Sequence, residues 1–180
     1  IGLESVKTEI AELVRLVKFY RDQNKEVLNR FSLHSVFVGN PGTGKTTVAR
    51  ILAKIFKALG ILERGHLVEC DRQSLVAGYV GQTAIKTSEM IDQAIGGVLF
   101  IDEAYSLTQV GSNSHDFGRE VIETLIKRME DQKGLFAVVV AGYTDNMKTF
   151  IESNPGLKSR FDRVLKFEDL SAENLMTVAL

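Results

Sequence analysis

The 180-residue chain has one cysteine, Cys70, so no disulfide can form within it. A lone thiol fits a reducing compartment, and at the end of a short apolar run it is expected to be a small buried hydrophobe. Long apolar stretches are also missing. The longest, GGVLFI and LFAVVVAG, fall far short of the roughly 20 residues that span a bilayer. No membrane partner is expected, no signal peptide is visible, and a cytoplasmic location follows as the expectation. Charge of one sign does not prevail: 22 Lys and Arg stand against 23 Asp and Glu, a formal net charge of -1. General nucleic-acid binders carry a basic excess, so the balance argues against that class. The histidines His34, His66 and His115 lack metal-ligand spacing. The first residue is Ile1 rather than Met, so the sequence is expected to be a fragment.

What is present is ordinary globular composition, 44% hydrophobic and 25% charged, in a chain long enough to bury a sizeable core. Residues 2–30 read as a long amphipathic helix, with Leu3, Val6, Ile10, Leu13, Val14 and Val17 at three- and four-residue steps. Short β-branched or apolar runs at 33–38, 66–70, 97–102, 135–141 and 163–167 read as strands. Helical patterns at 45–59, 84–95, 119–132 and 145–152 separate them, with a turn expected at NPG, 154–156. Alternating strands and helices predict an α/β fold, a parallel five-stranded sheet flanked by helices.

GNPGTGKT, Gly39–Thr46, matches the phosphate-loop pattern G-x-x-x-x-G-K-[ST]. It lies where that motif belongs, after a strand and before a helix. A chance match in a chain this long is on the order of 0.01. The candidate nucleotide-binding residues are Asn40, Pro41, Gly42, Thr43, Gly44, Lys45, Thr46 and Thr47. Glycines let backbone N–H groups converge on anionic oxygens. Lys45 brings an ammonium to the terminal phosphates, and Thr46 offers a hydroxyl to Mg²⁺. GVLFIDEAY then places Asp102 and Glu103 at the end of an apolar strand. Two carboxylates at a buried strand end are costly without a cation. Asp102 suits a magnesium partner and Glu103 a general base for the attacking water; acids capping a helix after the strand are the plainer alternative.

These motifs, with GYVGQT, VVVAGYTDNM and ESNPGLKSRF, resemble an AAA+ ATPase over nearly the whole chain. More narrowly, they resemble the branch that holds the red-type rubisco activase CbbX and the stage V sporulation protein K. The resemblance implies an ATPase using ATP and Mg²⁺. It implies a homo-oligomeric ring, a hexamer by family habit, that remodels or threads a protein substrate. Residues 1–170 would form the nucleotide-binding subdomain, and 171–180 would open a helical lid with the family's second sensor arginine beyond them. Ile1, Gly2 and Leu3 fall where the family lines its adenine pocket. Asp145 and Asn146 fall near its polar sensor, although relatives carry Asn in a pattern like G-A-T-N. Arg160 falls at the arginine finger, with Arg163 as second choice. Tyr79, Val80 and Gly81 match a loop facing the ring's channel, where an aromatic side chain grips peptide by apolar contact; a core role for Tyr79 is the alternative. A nucleotide-dependent switch or scaffold without threading is the rival function, and a nucleic-acid-dependent ATPase the next.

Overall fold

The computed structural model describes residues 4–23, 32–79, 81–108 and 117–169. Its centre is a sheet whose inner strands are buried throughout. These are β1 (Ser35–Val38), β3 (Val98–Ile101) and β4 (Ala137–Gly142). Their near-continuous apolar sequences are what a parallel strand covered on both faces requires. The flanking strands, β2 (Leu67–Cys70) and β5 (Val164–Lys166), are only partly covered. All pairings are parallel, in the order β2-β3-β4-β1-β5.

The period-two alternation of the strands divides the core between two faces. Phe37, Phe100, Val139 and Leu165 face α1 (Glu4–Gln23) and α2 (Lys45–Ala58). Val6, Leu13 and Val17 of α1 and Val48, Leu52 and Phe56 of α2 pack there, at the predicted helical steps. Val36, Ile101, Val138 and Val140 face the other layer. That layer holds α3 (Arg72–Leu75), α4 (Gln82–Ala94), α5 (Phe117–Asp131), α6 (Thr144–Glu152) and α7 (Pro155–Arg160). A short 3-10 segment, Ala104–Thr108, follows β3.

The segment at 154–156 is not a plain turn. Asn154 caps α7, its side chain accepting from the Gly156 N–H at 2.7 Å, and Pro155 occupies the first turn. Proline lacks an N–H that this position would leave unused, so the dipeptide that reads as a turn starts the helix carrying Arg160. Cys70 is buried, donates to the Phe100 carbonyl at 3.5 Å, and has its pKa pushed up to about 12 by burial. It is the inert packed thiol expected. Among the described residues no helix is long and apolar enough to cross a membrane, and no cluster of metal-ligating side chains occurs. His115, Val80, residues 1–3 and the expected lid start at 171–180 lie outside the described residues.

Candidate functional site

The helix after β1 covers one face of the sheet, and the helices after β2, β3 and β4 cover the other. Neighbouring β1 and β4 therefore send their chains to opposite faces. A crevice opens at their C-terminal ends, the place where open parallel sheets bind ligands. The phosphate-loop stretch lines it. A cavity of about 200 Å³ lies there, bounded by the loop and Lys45, Thr46 and Thr47 on one side and by Asp102, Glu103 and Tyr143 on the other.

Glycine is required in this loop at two places for different reasons. At Gly39 a Cβ would stand 2.4 Å from the Phe167 carbonyl, so no side chain fits. Gly44 caps α2 with φ 92°, in the left-handed region that favours glycine. No side chain caps α2. Its first N–H groups are thus turned toward the cavity without a competing carboxylate or hydroxyl. Thr43 is buried and donates to the Asn40 carbonyl at 2.7 Å. Asn40 donates to both Asp169 carboxylate oxygens at 2.8 and 3.0 Å. These two side chains shape the loop rather than face the cavity.

The Lys45 ammonium folds onto the loop, donating to the Gly39 carbonyl at 2.5 Å and the Asn40 carbonyl at 3.2 Å. Burial pushes its pKa down, and the charges of Asp102 and Glu103 across the cavity pull it back. The carboxylates themselves are exposed. The expected desolvation cost at the end of β3 is therefore not incurred: the strand is buried, but its terminal acids reach solvent. Asp102 N–H pairs with the Cys70 carbonyl at 3.0 Å, and its carboxylate accepts the Glu103 N–H at 3.0 Å. Glu103 has φ 49°, the only positive value at a non-glycine among the described residues. A strained backbone at a cleft residue is a mark of function. The donor set fits a phosphate chain with a divalent cation: backbone N–H groups, an ammonium and a hydroxyl face two carboxylates. Beside the loop, an apolar groove of about 730 Å³ runs between α1 and α2, with Val6, Ile10, Val14, Val48 and Ile51 on its walls.

The other predicted residues lie apart. Asp145 and Asn146 sit in the first turn of α6, exposed and outside the cavity lining. Gly142, the last residue of β4, and Tyr143, the residue after it, line the cavity; sequence reasoning missed Tyr143. Its signal was its position directly after the buried run, and only the adjacency of β4 to β1 gives that position meaning. Tyr79 is 77% exposed, so it is not a core residue. Its loop is pinned at both ends. Ala77 N–H donates to Thr83 Oγ1 at 3.1 Å, Lys86 donates to the Gln73 carbonyl at 2.6 Å, and Gly81 caps α4 with φ 82°. Arg160 is at the far end of the strands. Its carbonyl accepts from Ser32 Oγ at 2.8 Å, ahead of β1, whereas Lys45 follows β1.

This sheet order, with a phosphate loop after β1 and a carboxylate pair after β3, defines a P-loop nucleoside-triphosphatase fold. The chain belongs to the ATPase family associated with various cellular activities (AAA), whose model matches residues 35–169. It is 44% identical to stage V sporulation protein K of Bacillus subtilis (strain 168), over 99% of this chain and 56% of that protein. It is 45% identical to protein CbbX of Cereibacter sphaeroides, over 99% of this chain and 58% of that protein. It is also 45% identical to the chloroplastic ribulose bisphosphate carboxylase/oxygenase activase of Cyanidioschyzon merolae (strain NIES-3377 / 10D), over 99% of this chain and 61% of that protein. The chain thus spans between 56% and 61% of these relatives.

Proposed function

We propose that this chain is the nucleotide-binding part of an ATPase that remodels protein substrates as a homo-oligomeric ring. The observation that carries the reading is the single cavity shared by Lys45, Asp102 and Glu103, with its loop N–H groups opposite the acids. The loop backbone and Lys45 hold the terminal phosphates of ATP, and Lys45 exchanges its carbonyl partners for them. Thr46 and Asp102 hold Mg²⁺, which when bound neutralises charge on the phosphate chain. Glu103 takes a proton from the attacking water. The apolar groove beside the loop receives the base.

Arg160 stands beyond the opposite end of β1, whose four residues span about 13 Å. It therefore serves the site of a neighbouring copy, where it stabilises charge on the transferred phosphoryl group. Such a division makes the ring the active unit. Tyr79, exposed on a pinned loop, grips an extended stretch of substrate by apolar contact. One relative's name says it activates ribulose bisphosphate carboxylase/oxygenase, which fits a folded protein as substrate here. The buried thiol suits work in a reducing, cytoplasmic setting.

The test is Glu103→Gln in the full-length protein. ATP binding, followed with a fluorescent analogue, is expected to persist while phosphate release falls at least 100-fold. Unchanged release removes Glu103 from the role of base. Retained by its bound ATP, the same variant is the trap with which to isolate the protein substrate from extract. Tyr79→Ala separates motor from switch: remodelling of the trapped substrate should suffer far more than ATP turnover. Wild-type remodelling by that variant favours a nucleotide-dependent scaffold.

A further inference from the structure

We propose that Glu130 is the positioning residue for Arg160, fixing the direction in which its guanidinium leaves the subunit; this rests on the reading of Arg160 given above. Arg160 ends α7, a helix of only six residues. Its Nη2 donates to Glu130 Oε2 at 3.0 Å, and its Nη1 donates to the Gly156 carbonyl at 3.3 Å and to Ser159 Oγ at 3.4 Å. The last two partners belong to α7 itself and move with it. Glu130 belongs to the last turn of α5, so it alone of the three ties the guanidinium to the body of the fold.

A guanidinium carries five N–H donors in a rigid planar fork. Three contacts leave two donors for a neighbour's phosphoryl oxygens. The charge-assisted bond to Glu130 holds a long side chain that otherwise samples many rotamers. Orientation supplied before substrate arrives lowers the barrier without adding a contact to it. The electrostatics of the surroundings give Glu130 a second effect. Arg160 and Lys133 line a small cavity beside His34, and the charge of Arg163 also reaches that ring. Arg163 has the Ser32 carbonyl at 3.1 Å and the adjacent Asp162 charge. The Glu130 carboxylate is the counter-charge paired with Arg160, and without it the guanidinium is pushed away from the other cations. The Arg160 side chain is 24% exposed and the Glu130 side chain 64%, so the pair sits at the protein surface with the guanidinium the more covered partner.

The experiment uses the assembled full-length protein with ATP and Mg²⁺, and compares Arg160→Ala, Glu130→Ala, Glu130→Gln and the double alanine variant. Arg160→Ala is expected to lower kcat at least 100-fold. Glu130→Ala is expected to lower kcat by roughly 3- to 10-fold with the KM for ATP unchanged. Glu130→Gln, which keeps an acceptor, should fall between it and wild type. On the Arg160→Ala background Glu130→Ala should cost nothing further, which a merely structural role would not produce. Wild-type or raised kcat in Glu130→Ala, or an equal loss on both backgrounds, overturns the positioning role while Arg160 keeps its own. Wild-type kcat in Arg160→Ala overturns both. If Glu130→Ala does not assemble by size exclusion, Glu130→Gln and its double with Arg160→Ala carry the same comparison.

Discussion

Acid should destabilise this fold through one histidine, and the size of the effect can be worked from its surroundings. His34 lies just ahead of β1, where its Nδ1 accepts the Val138 N–H at 2.9 Å. That bond requires the lone pair, so it exists only in the neutral ring. The ring lies near Phe136 and Phe161, at centroid distances of 6.3 and 5.8 Å. Burial, together with the charges of Arg160, Lys133 and Arg163, lowers its pKa from 6.5 to about 3. Between those values the unfolded chain binds a proton that the folded one refuses. Stability is therefore complete above pH 6.5 and falls as pH drops toward 3. The full slope is about 1.4 kcal/mol per pH unit, or about 2.7 kcal/mol at pH 4.5. His34 keeps partial solvent exposure, and screening brings the expected loss to about 2 kcal/mol. Urea unfolding at pH 7.5 and pH 4.5 measures it. Carboxylates titrate in the same window, so the comparison is with His34→Asn, whose side-chain oxygen can still accept from Val138 but takes no proton. The wild type should lose about 2 kcal/mol more than His34→Asn between the two pH values. Equal losses refute the reasoning.

Three further substitutions test packing and capping. In Gly97→Ala the new Cβ would stand 2.3 Å from the His66 carbonyl. That carbonyl accepts the Val98 N–H at 2.8 Å and cannot retreat without breaking the start of β3; a loss of about 2–3 kcal/mol is expected in thermal unfolding. Gly78→Ala meets nothing within 4 Å, and its melting curve should match the wild type. Asp71→Ala removes the cap of α3, in which the carboxylate accepts the Ser74 N–H at 3.0 Å. The expected cost is about 1 kcal/mol, read by urea unfolding at neutral pH, and a larger loss would mean that Asp71 supports more than its helix.

Much of the architecture was legible along the chain. Buried strands announce themselves by unbroken apolar runs, and amphipathic helices by three- and four-residue steps, because both patterns arise from neighbours within one element. The phosphate loop is local in the same sense. Gly39 to Thr46 are contiguous, and their conformation follows from glycine's freedom and from a strand leading into a helix. Proline misled at Pro155 because the dipeptide NP serves both a turn and a helix start, and the capping Asn154 decides between them.

The remaining features depend on residues far apart in sequence. Asp102 and Glu103 face Lys45 only because β4 pairs with both β3 and β1 and so brings the ends of those two strands to one crevice. The same order puts Tyr143 on the cavity and leaves Asp145 and Asn146 outside it. Nothing within the segment after β4 distinguishes these three residues, since the distinction lies in which strand is their neighbour. Arg160 reads as a motif residue, but its distance from the loop and its bond to Glu130 come from the packing of α7 on α5. Local propensity acts over a few residues and therefore appears in the sequence. Strand order and the meeting of distant side chains are set when the two faces of the sheet are covered, and that covering is a property of the whole fold.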